Sequence, residues 1–206
     1  MRHLGFPGKF IGLVRPDHPN DRGKLATYAA HAECPPLKLH ALKLLLADDN
    51  PQLRSIIRTI LGGIGITQVQ QCADGASALN LLRQWPADIA IVDYEMSPID
   101  GLAFTYLVRN SPDSPNRFLP VIMITAHADL RRVCEARDAG VTELLVKPIT
   151  AGGVVDRLNA VIFRPRPFIE SANYVGPCRR RRRDASYAGP LRRAADSALA
   201  GLMARL

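Results

Sequence analysis

Four short apolar runs in this chain of 206 residues each end in a side chain that can do chemistry. Leu42–Ala47 runs into Asp48 and Asp49, Ile89–Val92 into Asp93, Val121–Ile124 into Thr125, and Leu144–Val146 into Lys147 and then Pro148. In an open parallel sheet, ligands bind outside the carboxyl ends of the strands. If these runs are its strands, three carboxylates, a hydroxyl and an ammonium converge on one edge. Three carboxylates together repel, each raising its neighbours' pKa unless a cation relieves the repulsion. A hard divalent ion with oxygen ligands and several retained waters answers that need, and Mg2+ fits. Such an ion would also neutralise an incoming phosphoryl group. Lys147 would add a second positive point charge, and Thr125 a hydroxyl donor to a phosphoryl oxygen. That is equipment for phosphoryl transfer, where positioning and charge neutralisation supply most of the catalysis. One carboxylate can itself be the nucleophile, and Asp93, at the end of the central strand, is best placed.

The elements between these runs must hold the ends in place. Asn50-Pro51 opens a helix, with the asparagine as cap and the proline in the first turn. Leu53, Ile56, Ile57, Ile60, Leu61 and Ile64 follow at helical spacing, and Gly62, Gly63 and Gly65 close it. Thr67–Cys72 alternates and is expected to be an edge strand. Asp74 caps a second helix through Trp85. Ile89–Val92 is continuously apolar, as suits a strand buried on both faces. Further helices are expected over Asp100–Asn110, Ala128–Ala139 and Thr150–Ile162, the last weakened by Gly152-Gly153. Five strands alternating with five helices predict an α/β fold, a doubly wound parallel sheet with helices on both faces. Its length, about 120 residues, is normal for one domain.

With these elements in place, Asp48-Asp49, Asp93, Thr125-Ala126 and Lys147-Pro148 resemble, in type and spacing, the receiver domain of two-component response regulators, the CheY-like family. The resemblance covers about residues 41–163. It implies the flavodoxin-like strand order 2-1-3-4-5 and a role in phosphorelay signalling. By it, Asp93 accepts a phosphoryl group from a phosphohistidine on a sensor histidine kinase or a histidine phosphotransfer protein. Asp49 and Asp93 would bind Mg2+ directly, Asp48 would assist, and the Glu95 backbone carbonyl would complete the protein ligands. Thr125 and Lys147 would contact the phosphoryl group and couple it to helix movement. The small Ala126 would keep the site accessible. The Glu95 and His127 side chains occupy positions that in the family tune phosphoryl lifetime.

Three positions depart from the family pattern. The proline usual soon after the acceptor is one place late, in Met96-Ser97-Pro98, which predicts a changed loop with Asp100-Gly101 still in register. The switch position three residues before Lys147 is Leu144 rather than an aromatic, and Ile149 stands where Phe is frequent. These departures are expected to leave phosphorylation intact and to alter the conformational readout.

Plainer readings compete. Asp48-Asp49 alone could merely cap the first helix, since acidic residues favour helix N-termini. Their coincidence with Asp93, Thr125 and Lys147 outweighs that reading. A metal-dependent phosphohydrolase forming an aspartyl-phosphate is the enzymatic alternative, with Glu95 at the spacing of a general acid. Against it, no cap domain or substrate pocket is evident, so the chain is read as a signalling module rather than an enzyme, limited to its own phosphorylation and dephosphorylation.

Charge divides the chain. The formal net charge is +8, but residues 41–163 carry eleven basic and thirteen acidic side chains, while residues 164–206 carry ten and three. Residues 1–40, broken by Pro7, Pro16, Pro19, Pro35 and Pro36, are expected to be an irregular extension. Residues 164–206 are expected to be a basic tail with a short helix over Pro190–Leu206. The run Arg179, Arg180, Arg181, Arg182, Arg183 suits a solvated tail, a nucleic-acid contact made with Phe168 and Tyr174, or a segment folded back on the acidic receiver. Nucleic acid is the less favoured partner, and output through an unidentified downstream protein is preferred. The four cysteines, Cys34, Cys72, Cys134 and Cys178, have no metal-ligand spacing and are expected to be reduced thiols. No apolar run reaches the roughly 18 residues of a membrane helix, and a cytoplasmic protein is expected.

Overall fold

The computed structural model describes residues 39–171 and 174–179. Of the expected extension over residues 1–40, residues 1–38 lie outside the described residues, as do Arg180–Arg183 and the helix over Pro190–Leu206, while Leu39–Ala41 form a short 3-10 turn.

Five strands, β1 (Lys43–Ala47), β2 (Gln68–Cys72), β3 (Ile89–Asp93), β4 (Val121–Thr125) and β5 (Glu143–Val146), form one parallel sheet in the order β2-β1-β3-β4-β5. Helices α1 (Pro51–Gly63), α2 (Gly75–Gln84), α3 (Gly101–Asn110), α4 (Leu130–Ala139) and α5 (Ala151–Phe163) alternate with them. This is the expected doubly wound fold.

Period-two alternation divides the core. Leu44 and Leu46, Ile89 and Ile91, and Ile122 and Ile124 pack with Ile57 and Leu61 of α1 and Val154, Leu158 and Val161 of α5. Leu45, Ala47, Ala90 and Val92 turn the other way, towards Ala78 and Leu82 of α2 and Phe104 and Val108 of α3. Met123 joins Leu102 of α3 and Ala136 and Ala139 of α4. β3 and β4 are buried along their whole length. Their continuous apolar sequences therefore reflect cover on both faces. Edge strand β2, by contrast, keeps its alternation of exposed and half-buried residues.

Each helix start is set by its cap. The Asn50 Oδ1 accepts from the backbone N–H groups of Gln52 and Leu53, with Pro51 in the first turn. Asp74, Asp100, Asp129 and Thr150 accept from Ser77, Ala103, Arg132 and Gly153. These satisfy donors that a helix terminus leaves unpaired. The fourth helix consequently begins at Leu130, after its cap, rather than at Ala128. Thr150 likewise starts α5 despite Gly152-Gly153.

Beyond α5 the sequence shows no period, yet β6 (Phe168–Ser171) and β7 (Tyr174–Pro177) pair as antiparallel strands. They close over Arg109, the largest fully buried side chain among the described residues. Its guanidinium donates to the Gly140 carbonyl from Nε (3.2 Å) and Nη2 (3.0 Å), and to the Arg117 carbonyl from Nη1 (2.9 Å). The Phe168 ring lies 5.1 Å from it and meets Phe118 edge-on at 5.7 Å. Long-range packing orders these strands, which are too short to carry a sequence signature.

Candidate functional site

The carboxyl ends of β1, β3, β4 and β5 bring the predicted residues together. Asp48 and Asp49 follow β1, Asp93 ends β3, Thr125 ends β4 and Lys147 follows β5. In-register parallel pairing, Ala47 beside Val92 and Asp93 beside Ile124, fixes this convergence. Helix α3 closes in from below. A Cβ on Gly101 would stand 2.2 Å from the Asp93 carbonyl oxygen, so only glycine permits this approach.

One oxygen from each of Asp48, Asp49 and Asp93 lies within 4.8 Å of the others. Asp48 is wholly buried and Asp93 nearly so, whereas Asp49 is exposed. The Asp48 Oδ1 accepts from the Asn50 N–H at 2.7 Å, while its Oδ2 is buried without a hydrogen-bond partner. Burial pushes the Asp48 carboxyl above its usual range, and Asp93 and Asp49 push it further against the Asn50 bond and Lys147. Burial also raises the Asp93 carboxyl, opposed by Lys147 and by the Glu95 N–H. Lys147 Nζ stands 2.9 Å from the Asp93 Oδ1.

A buried carboxylate oxygen with no donor, beside two further carboxylates, fits a divalent cation with oxygen ligands. The donor set is all oxygen with no histidine or thiolate, which suits Mg2+ over zinc or copper.

Thr125 is buried at the strand end, but its hydroxyl is turned to the β4–α4 loop. It donates to the His127 carbonyl (2.9 Å) and accepts from the His127 N–H (3.1 Å). His127 itself is exposed. The Glu95 carboxylate receives Arg132 Nη1 at 2.8 Å. That bond, ahead of smaller contributions from His127 and Lys147, holds its carboxyl below the usual range.

Arg179 stands apart from these residues. Its guanidinium stacks on Tyr174 at 3.9 Å and lies 3.4 Å from Asp138, in the last turn of α4. That turn leads into the amino end of β5, opposite the carboxylates.

Sequence reasoning missed Tyr94, Arg132 and Glu135. The Tyr94 ring packs with Leu144 against the α3–α4 cluster, its hydroxyl donates to Glu135 Oε2 at 2.8 Å, and Arg132 lies 5.0 Å from its centre. The only local signal was the four-residue spacing of Arg131 and Glu135, which pair at 3.0 Å. Nothing in the sequence joins residues 94 and 95 to α4.

The model of the response regulator receiver domain matches residues 44–159, more than half of the chain. Chemotaxis protein CheY-3 of Vibrio cholerae is 32% identical over 123 residues, 60% of this chain and 93% of that protein. Chemotaxis protein CheY of Pseudomonas aeruginosa is 32% identical over 123 residues, covering 60% and 98%. Among solved structures, CheY4 of Vibrio cholerae superposes with a TM-score of 0.55 at 29% identity, over 59% of this chain and 98% of that one. Among the described residues, no helix is long and apolar enough to cross a membrane.

Proposed function

This chain belongs to the response regulator receiver family, and from that premise we propose that Asp93 is its phosphoryl acceptor in a two-component phosphorelay. The observation that carries the reading is the cluster of Asp48, Asp49 and Asp93, one buried oxygen of which lacks a donor. Asp48, Asp49, Asp93 and the Glu95 backbone carbonyl would hold Mg2+, which supplies positive charge to the transferring phosphoryl group.

A carboxylate oxygen of Asp93 attacks phosphorus as the P–N bond of a phosphohistidine breaks. The imidazole leaves with the bonding pair. Lys147, already 2.9 Å from Asp93, balances charge on the phosphoryl oxygens. Thr125 reaches the phosphoryl group by releasing the His127 backbone. In hydrolysis, water attacks phosphorus, the bond to Asp93 breaks, and inorganic phosphate leaves. The Glu95 and His127 side chains flank this step and tune its rate. The donor is a sensor histidine kinase or a phosphotransfer protein, and output passes to a downstream protein.

The phosphohydrolase alternative needs Glu95 as a proton donor. Arg132 holds the Glu95 carboxyl low and therefore ionised, which disfavours that role.

The test is incubation with acetyl phosphate and Mg2+, followed by intact-protein mass measurement beside Asp93→Asn. A Mg2+-dependent phosphate adduct confined to the unsubstituted protein is expected. An adduct of equal yield in Asp93→Asn would reject Asp93 as acceptor, and rapid turnover of a generic phosphomonoester would favour the hydrolase.

A further inference from the structure

The Glu95 side chain is 64% exposed, yet Arg132 holds it at 2.8 Å from a helix 37 residues further along the chain. Arg132 is itself fixed. Its guanidinium stacks on Tyr94, its Nε lies 3.8 Å from the Asp129 carboxylate, and its side chain is only 29% exposed. Glu95 is two residues beyond Asp93, and its backbone N–H bonds the Asp93 carboxylate while its side chain faces solvent. It therefore stands at the mouth of the acidic site. A free carboxylate there would add negative charge in the path of an anionic phosphodonor.

We propose that Arg132 is a positioning residue for phosphoryl transfer: it draws the Glu95 carboxylate towards α4 and neutralises it, so that a small anionic donor can approach Asp93. The proposal rests on Asp93 being the acceptor. Arg132 acts through Glu95 and need not touch the phosphoryl group. Exposed ion pairs contribute little to stability, so the effect is kinetic rather than structural. Opposite charges at a cleft mouth govern approach of a charged reactant, and salt screens that influence.

The experiment compares the rate of Asp93 phosphorylation by acetyl phosphate and Mg2+ in the full chain, Arg132→Ala, Glu95→Gln and the double variant, at low and high salt. Arg132→Ala frees the carboxylate and removes a positive charge, and slows phosphorylation by roughly three- to tenfold at low ionic strength. High salt shrinks the difference. The double variant removes both members of a neutral pair and recovers most of the loss. A purely structural role for Arg132 leaves the double variant as slow as Arg132→Ala, which overturns the proposal. So does an Arg132→Ala rate equal to that of the unsubstituted protein at low salt. If the unsubstituted protein forms no adduct, the acceptor reading itself fails and the proposal falls with it, an outcome distinct from the other two.

Discussion

Asp48 carries an electrostatic cost that a cation would remove. Its folded-state pKa is raised, by burial first and then by Asp93 and Asp49. A carboxyl with a raised folded pKa contributes stability that is fully present below its unfolded value, near 3.8, and is lost as pH rises through the folded value. Asp93 is raised in the same direction, though Lys147 offsets part of the effect. The metal-free protein is therefore strained at neutral pH. Mg2+ bound at the three carboxylates would relieve that strain, and protons would compete with it on acidification. Thermal unfolding at pH 7 should show a higher Tm with Mg2+, and the gain should fade as the solution is acidified towards the carboxyl range. Asp48→Asn should raise the Tm of the metal-free protein by about 2–4 °C, the shift that corresponds to roughly 1 kcal/mol in a domain of this size. It should also lose most of the Mg2+ gain. An undiminished Mg2+ response in Asp48→Asn would remove Asp48 from the cation site.

Two elements acquire roles that their own sequences do not disclose. In α4, Arg131, Arg132 and Glu135 form a polar surface in the sequence, but Tyr94 reaches across from the end of β3 to bond Glu135 and to pack on the cluster that includes Ala136 and Ala139. Tyr94, from the end of another strand, thus packs on the same cluster as Leu144, the position where the family places an aromatic side chain. Tyr94→Phe removes only the 2.8 Å bond, at a cost of about 1 kcal/mol. The expected result is faster amide exchange over residues 130–139, with phosphorylation of Asp93 retained. Unchanged exchange would mean that the hydroxyl does not anchor α4. The β6–β7 pair is the second case. Its strands have four residues each, and Ile169 and Glu170 are exposed, so periodicity has nothing to act on. Arg109 likewise reads as a surface arginine near the end of α3, until β6 and β7 bury it. Its partners are carbonyls rather than carboxylates, and burial lowers its pKa to about 9. Arg109→Ala would leave a cavity and unpaired carbonyls at Gly140 and Arg117, costing about 3 kcal/mol or more in urea denaturation. A loss below about 1 kcal/mol would mean that the site collapses freely around the smaller side chain.

At the scale of the molecule, the fold and the acidic site were legible for one physical reason. A parallel sheet covered on both faces must use continuous apolar runs, and the residues that end those runs must share an edge. Asp93 and Lys147 are 54 positions apart in sequence, yet strand order and register leave them 2.9 Å apart. Side-chain contacts that cross between elements, such as Glu95 with Arg132 and Arg109 with Gly140, obey no period and stayed hidden. The basic charge also needs dividing by position. Arg179 begins the arginine run but is committed to Tyr174 and Asp138, with its side chain only 14% exposed. It is therefore a poor candidate for an external polyanion. Beyond it lie seven arginines and two aspartates, net +5 of the chain's +8. Polyanion binding by non-specific charge follows the number of free cations and falls steeply with salt. A chain stopped after Arg179 should therefore leave a heparin column at clearly lower salt than the full chain, while keeping its unfolding temperature and its phosphorylation by acetyl phosphate. Equal elution would place the basic contact elsewhere, and a fall in unfolding temperature would give residues 180–206 a part in holding the domain together.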